Sequence, residues 1–213
     1  MTQSDLSLPV LIRETFIDPR GVARRLVAIG VPAPVLWQAL LLVVVVSVLL
    51  EQFLFQLGGG VSGLPVDTDP VTAQWLMLIT AFYTSPFMMT FLQGVLLTIT
   101  VFTVYTVGRA FGGTATFEAA LVMVVWFQFI LVVLQTAQSV ATVIFPLLAL
   151  LIGFGTAFFF FYLLTMFVCE IHGFTQTGAV LAMIIVSIVV ITVFMAVFAS
   201  IIFQPFIGDL PNV

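Results

Sequence analysis

The chain has 213 residues, of which 62% are hydrophobic and 7% charged, with a net charge of −4 and a mean hydropathy of +1.33. A water-soluble domain carries about 25% charged residues, so this composition excludes a water-facing globule and leaves lipid as the solvent. The five basic residues are all arginine (Arg13, Arg20, Arg24, Arg25, Arg109); the absence of lysine excludes P-loop nucleotide binding and Schiff-base chemistry, and so few cations exclude a nucleic-acid partner.

Residues 1–33 form the one substantial polar stretch, an N-terminal cytoplasmic amphipathic segment. Leu8, Leu11 and Ile12 predict a short helix. "DPRGVARRLVAIG" predicts a second, with Asp18 as N-cap and Pro19 at the first helical position. Val22, Leu26 and Ile29 share one face of it, and Arg24 and Arg25 lie elsewhere on the wheel. That pattern suits a helix lying on an anionic membrane, with Arg20, Arg24 and Arg25 as surface contacts. The alternative is a helix packed on the protein's own cytoplasmic face. No cleavable signal peptide is apparent in this stretch.

Residues 34–213 read as a membrane domain with five spans of about 20 residues or more, at about 34–57, 86–108, 117–137, 142–168 and 177–203. Trp37 is placed for an interface. Residues 56–70 read as a loop, and the glycine pattern of Gly58, Gly60 and Gly63 is no dinucleotide fingerprint, because a membrane helix rather than a strand precedes it. Residues 71–84, with Trp75 and Tyr83, predict an interfacial or re-entrant helix. The fold class is therefore all-α, a polytopic helical bundle. With five spans and the N-terminus inside, all five arginines face the cytoplasm and Asp67, Asp69 and Asp209 face outward, as arginine bias in short flanks requires. The C-terminus then lies outside. A sixth span at 71–84 would turn Arg109 outward.

Two polar breaks interrupt the apolar runs: "GRAFGGTATFEAALVM" at 108–123 and "CEIHGFTQTGAVLAM" at 169–183. Both are predicted to be cytoplasmic hairpin turns. Aligning Gly113 with Gly173 also matches Ala119/Ala179, Leu121/Leu181 and Met123/Met183. A parallel repeat explains these identities, and so does convergent turn chemistry, in which glycine ends a helix and Thr or Gln opens the next.

These two stretches, with "FIDPRGVARRL" ahead of a Trp-led first span, resemble the Yip family of Ypt/Rab-interacting multispan membrane proteins, in its bacterial branch. The resemblance covers roughly residues 10–203. It implies a five-span bundle with a cytoplasmic N-terminus. Eukaryotic members are associated with Rab GTPases and vesicle traffic through chains with a long N-terminal cytoplasmic domain; a chain without such a domain is not expected to bind a GTPase. The bacterial branch has no established activity.

Three sets of polar residues stand out. Arg109, Glu118 and Glu170, with His172, fall at the cytoplasmic ends of the hairpins, where Arg109 is expected to pair with Glu170 or Glu118 and fix register between spans. Glu51, Gln128 and Gln135 form a candidate intramembrane polar cluster, read mainly as interhelical bonding. Cys169 and His172 share a helix face, yet with no second Cys or His they do not make a closed metal site. No catalytic, metal or cofactor set is expected, and no nucleotide. The expected function is non-enzymatic: a membrane protein, in a bacterial inner membrane, that organises or assists other membrane components or copies of itself. The alternative is a small transporter or channel subunit with a path lined by Glu51 and Gln128. An intramembrane enzyme ranks last.

Overall fold

The computed structural model describes residues 7–57, 72, 73, 76, 77, 80, 81 and 84–207. Among these every regular element is a helix. The seven are α1 (Leu8–Ile17), α2 (Pro19–Ala28), α3 (Ala33–Leu57), α4 (Pro86–Ala110), α5 (Phe117–Ile144), α6 (Pro146–His172) and α7 (Thr177–Ile207). The last five are long and apolar enough to cross a membrane. The predicted loop at 56–70, with its glycine pattern, lies almost wholly outside the described residues, as do Trp75 and Tyr83. The described positions within 72–84 are helical.

Local chemistry sets the helix ends. Asp18 caps α2 by accepting from the Gly21 N–H at 2.9 Å, and Thr116 caps α5 by accepting from the Ala119 N–H at 3.1 Å. The boundary between the third and fourth spans differs from expectation. Gln138 and Ser139 do not open a loop; α5 runs through them to Ile144, and α6 starts at Pro146. The break sits at the proline because the ring forbids a helical interior position and holds the preceding Phe145 extended, at φ −152° and ψ 91°.

The antiparallel pair α5–α6 is the centre of the bundle, with α3 and α4 against α5 and α7 against α6. One core joins Met123, Trp126, Phe127 and Ile130 of α5 to Leu163, Leu164, Phe167 and Val168 of α6. The N-terminal helices belong to that same core through Leu11, Val22, Ala23 and Leu26. Towards the α5–α6 turn the helices stand apart: Leu150, Leu151, Phe154 and Phe158 of α6 and Val193, Phe194, Val197 and Phe198 of α7 are all exposed.

Val22, Ala23 and Leu26 of α2 are thus buried against protein. Arg24 reaches Glu170 at 3.2 Å, Arg25 pairs with Glu14, and Arg20 lies beside the Cys169 thiol. Of the predicted apolar face, Val22 and Leu26 are buried, while Ile29 and the Arg24 side chain stay exposed. Val22, Ala23 and Leu26 pack into the core shared by α5 and α6.

Candidate functional site

The two polar breaks meet in space. Helix α4 ends in a Schellman turn: the Gly113 N–H donates to Gly108 O at 2.9 Å and the Gly112 N–H to Arg109 O at 3.0 Å, with Gly112 at φ +88°. Helix α6 ends the same way, with Phe174 N–H to Cys169 O at 2.9 Å, Gly173 N–H to Glu170 O at 3.4 Å, and Gly173 at φ +73°. The left-handed glycines are therefore Gly112 and Gly173, not Gly113 and Gly173. The following helices open at Thr116 and Gln176, where Ala120 N–H and Val180 N–H make the first turns. The first turn is one residue longer than the second, so the alignment of the two breaks slips inside the turn.

His172 occupies the junction. It is 2% exposed. Its ring lies against Gly108 on one side and Gly113 on the other, so a Cβ at either position would collide with the imidazole. Nε2 is 3.0 Å from Val104 O. A carbonyl only accepts, so Nε2 carries the hydrogen, and the Nδ1 atom facing Gly113 is buried without a partner. Phe174 stacks on the ring at 5.4 Å. The backbone closes the contact: Thr114 N–H and Oγ1–H both donate to His172 O, at 3.3 and 3.5 Å. The imidazole is a key seated in a slot made by two glycines, tying the α4–α5 turn to the end of α6.

The other singled-out residues are placed as follows. Glu170 pairs with Arg24 of α2 rather than with Arg109. Arg109 instead lies over Tyr105, 5.6 Å from the ring centroid, and donates to its hydroxyl at 3.4 Å. Glu118 is exposed on the first turn of α5, where its charge favours the helix N-terminus. Cys169, buried and free, faces α2 while His172 faces α4, so the two do not form a pair.

In the membrane, Gln135 Nε2 donates to Glu51 Oε1 at 2.8 Å, joining α5 to α3. One turn earlier on α3, Ser47 donates to Gln93 Oε1 at 3.2 Å, joining α3 to α4. Gln128 is buried at 8% exposure, two turns from Gln135. Two bonds were not anticipated from sequence: Trp126 Nε1–H donates to the buried Thr15 hydroxyl at 3.0 Å, and Arg24 takes Glu170. Among the described residues no group of three His, Cys, Asp or Glu side chains is placed to hold a metal.

Five apolar helices of spanning length, cross-bonded inside and keyed at one end by their turns, define a polytopic helical membrane protein. The family model of the Yip1 domain matches residues 13–198. The chain belongs to the Yip1 family. No curated protein and no solved structure matches it.

Proposed function

We propose that the chain is a non-enzymatic scaffold of the membrane, of the bacterial branch of its family, that organises other membrane proteins or further copies of itself. The observation that carries this reading is how its polar side chains are used. Glu51, Gln93, Gln135, Glu170 and His172 each bond to another helix of the same chain, so they serve register and packing. Meanwhile the outer parts of α6 and α7 offer broad apolar faces to neighbouring helices or lipid. In this reading the N-terminal segment 1–33 is cytoplasmic, the five-span part 34–213 follows, and the C-terminus lies outside the bacterial inner membrane. Photo-crosslinking from benzophenone side chains placed at the exposed Phe158 and Phe194 in intact membranes, followed by gentle-detergent purification, tests it. A defined homo-oligomer or a reproducible membrane-protein partner is the expected outcome; a monomer with no crosslinked neighbour contradicts it.

A second reading rests on Glu51. A carboxylate within a span, bonded to Gln135 and one turn from the Ser47–Gln93 pair, marks a polar track through α3, α4 and α5. With Gln128 it would line a transport path. Solute or cation flux in proteoliposomes that is abolished by Glu51→Gln supports this reading over the scaffold; leak-free vesicles dispose of it.

A further inference from the structure

The depth of α1 in the membrane follows from features at the other end of the bundle. The α5–α6 turn is apolar and exposed at Ile144, Phe145 and Leu147, which suits the far edge of the hydrocarbon, where its free backbone groups meet the interface. Helices of 28 and 27 residues are about 40 Å long, some 10 Å more than the hydrocarbon thickness. Counting about 20 residues back from that turn places the opposite boundary near Trp126 on α5 and Thr165 on α6. A tryptophan at that level is the usual interfacial residue. The ends of α5 and α6 run on beyond that thickness, and α2 packs against them, with Arg24 on Glu170.

Helix α1 sits at the boundary itself. Thr15 accepts from Trp126, and Phe16 stacks on Phe159 at 4.8 Å, between one and two turns inside Thr165. Leu11 and Thr15 face the bundle. The opposite face carries Pro9, Val10, Arg13, Phe16 and Ile17, all exposed and all at helical spacing of three, four or seven. Glu14 is drawn aside by Arg25, so Arg13 is the one charge on that face, and among the described residues it has no ion-pair partner. The face continues into the lipid-facing surface of α6 at Phe158 and Tyr162, which are 77% and 42% exposed.

We propose that this face of α1 is a phospholipid-binding surface. Val10, Phe16 and Ile17 enter the acyl region of the leaflet that α6 crosses at Phe159, and the Arg13 guanidinium reaches up to the headgroup phosphates. The proposal goes beyond the scaffold reading and is independent of it, and it holds whichever side of the membrane the N-terminus occupies.

The full chain in nanodiscs of phosphatidylglycerol and phosphatidylcholine tests it by spin labelling. Single labels go at Val10→Cys and Ile17→Cys in a Cys169→Ala background, with Ala28→Cys, at the exposed end of α2, as the aqueous reference. Collisions with oxygen should exceed those with a water-soluble nickel chelate at 10 and 17, and the order should reverse at 28. Nickel access at 10 and 17 equal to that at 28 overturns the proposal. Arg13→Glu should move the label at 17 toward nickel access; an unchanged ratio overturns the phosphate contact. The wild-type chain gives an independent readout by hydroxyl-radical footprinting. Phe16 and Phe111 are 42% and 68% exposed in the protein alone, so modification of Phe16 several-fold below that of Phe111 supports lipid cover, and modification in proportion to those exposures contradicts it.

Discussion

Gly108→Ala is the most informative single substitution in this chain. Inside α4, alanine is ordinarily the better helix former by about 0.8–1 kcal/mol. Here the added methyl would meet the His172 ring. The ring cannot move aside freely: Gly113 lies against it, Phe174 stacks on it, and its Nε2–H is committed to Val104 O. Overpacking of this kind costs about 1–3 kcal/mol, and losing the Val104 bond adds about 0.5–1.5 kcal/mol. The clash outweighs the propensity gain, leaving a net destabilisation of about 1–3 kcal/mol. In a His172→Ala background the same substitution has nothing to strike and should be neutral or stabilising. The Gly108→Ala effect therefore turns from destabilising to neutral or stabilising between the two backgrounds, with a coupling of about 1.5–4.5 kcal/mol, the clash and the lost bond together. Thermal unfolding of detergent-solubilised protein, followed by size-exclusion chromatography, reads this as a Tm shift of about 2–4 °C per kcal/mol at this chain length. A Gly108→Ala effect of the same sign and size in both backgrounds would refute the slot.

Three further outcomes follow from the same geometry. Arg24→Glu and Glu170→Arg should each cost about 0.2–1 kcal/mol and largely rescue one another, because Arg24 is mostly exposed; Arg109→Glu with Glu170→Arg should show no such rescue, measured by the same Tm cycle. Trp126→Phe and Thr15→Val each break the bond that pins α1, at about 1 kcal/mol, and the double substitution should cost no more than the larger single effect. Glu51→Leu should lose about 0.6 kcal/mol of interhelical bonding with Gln135, whereas Glu51→Gln, which still offers an oxygen to the Gln135 N–H, should lose less; equal losses would argue against that bond.

The architecture was legible because its signals are local and redundant. Span length, proline at helix starts, glycine at helix ends and Thr116 as an N-cap all act within a few residues of themselves. The exception, the third-to-fourth span turn, shows which local rule dominates: Gln138 and Ser139 look polar enough for a loop, yet their backbone stays helical through to Ile144, and only Pro146 breaks it. The candidate site was half legible. The stretches around Gly113 and Gly173 were conspicuous, but as two copies of one motif rather than as the two sides of one contact. Gly108 passed unnoticed because a glycine one turn inside a helix has no sequence signature that tells a slot from a tolerated residue. Partner choice was the least accessible. Arg109 and Arg24 carry the same charge, and only the packing of α2 on α6 shows that Arg24 takes Glu170.

The central claim, that both polar turns lie together on one side of the membrane and the Phe145 turn on the other, is open to direct measurement by cysteine labelling. Single cysteines at Phe111 and Thr175, and a third at Phe145, are introduced in a Cys169→Ala background and exposed to a membrane-impermeant maleimide in sealed vesicles of both orientations. Five spans predict that positions 111 and 175 label from the same side, the cytoplasmic one, and that position 145 does not label from that side. Labelling of 111 and 175 from opposite sides would contradict the account.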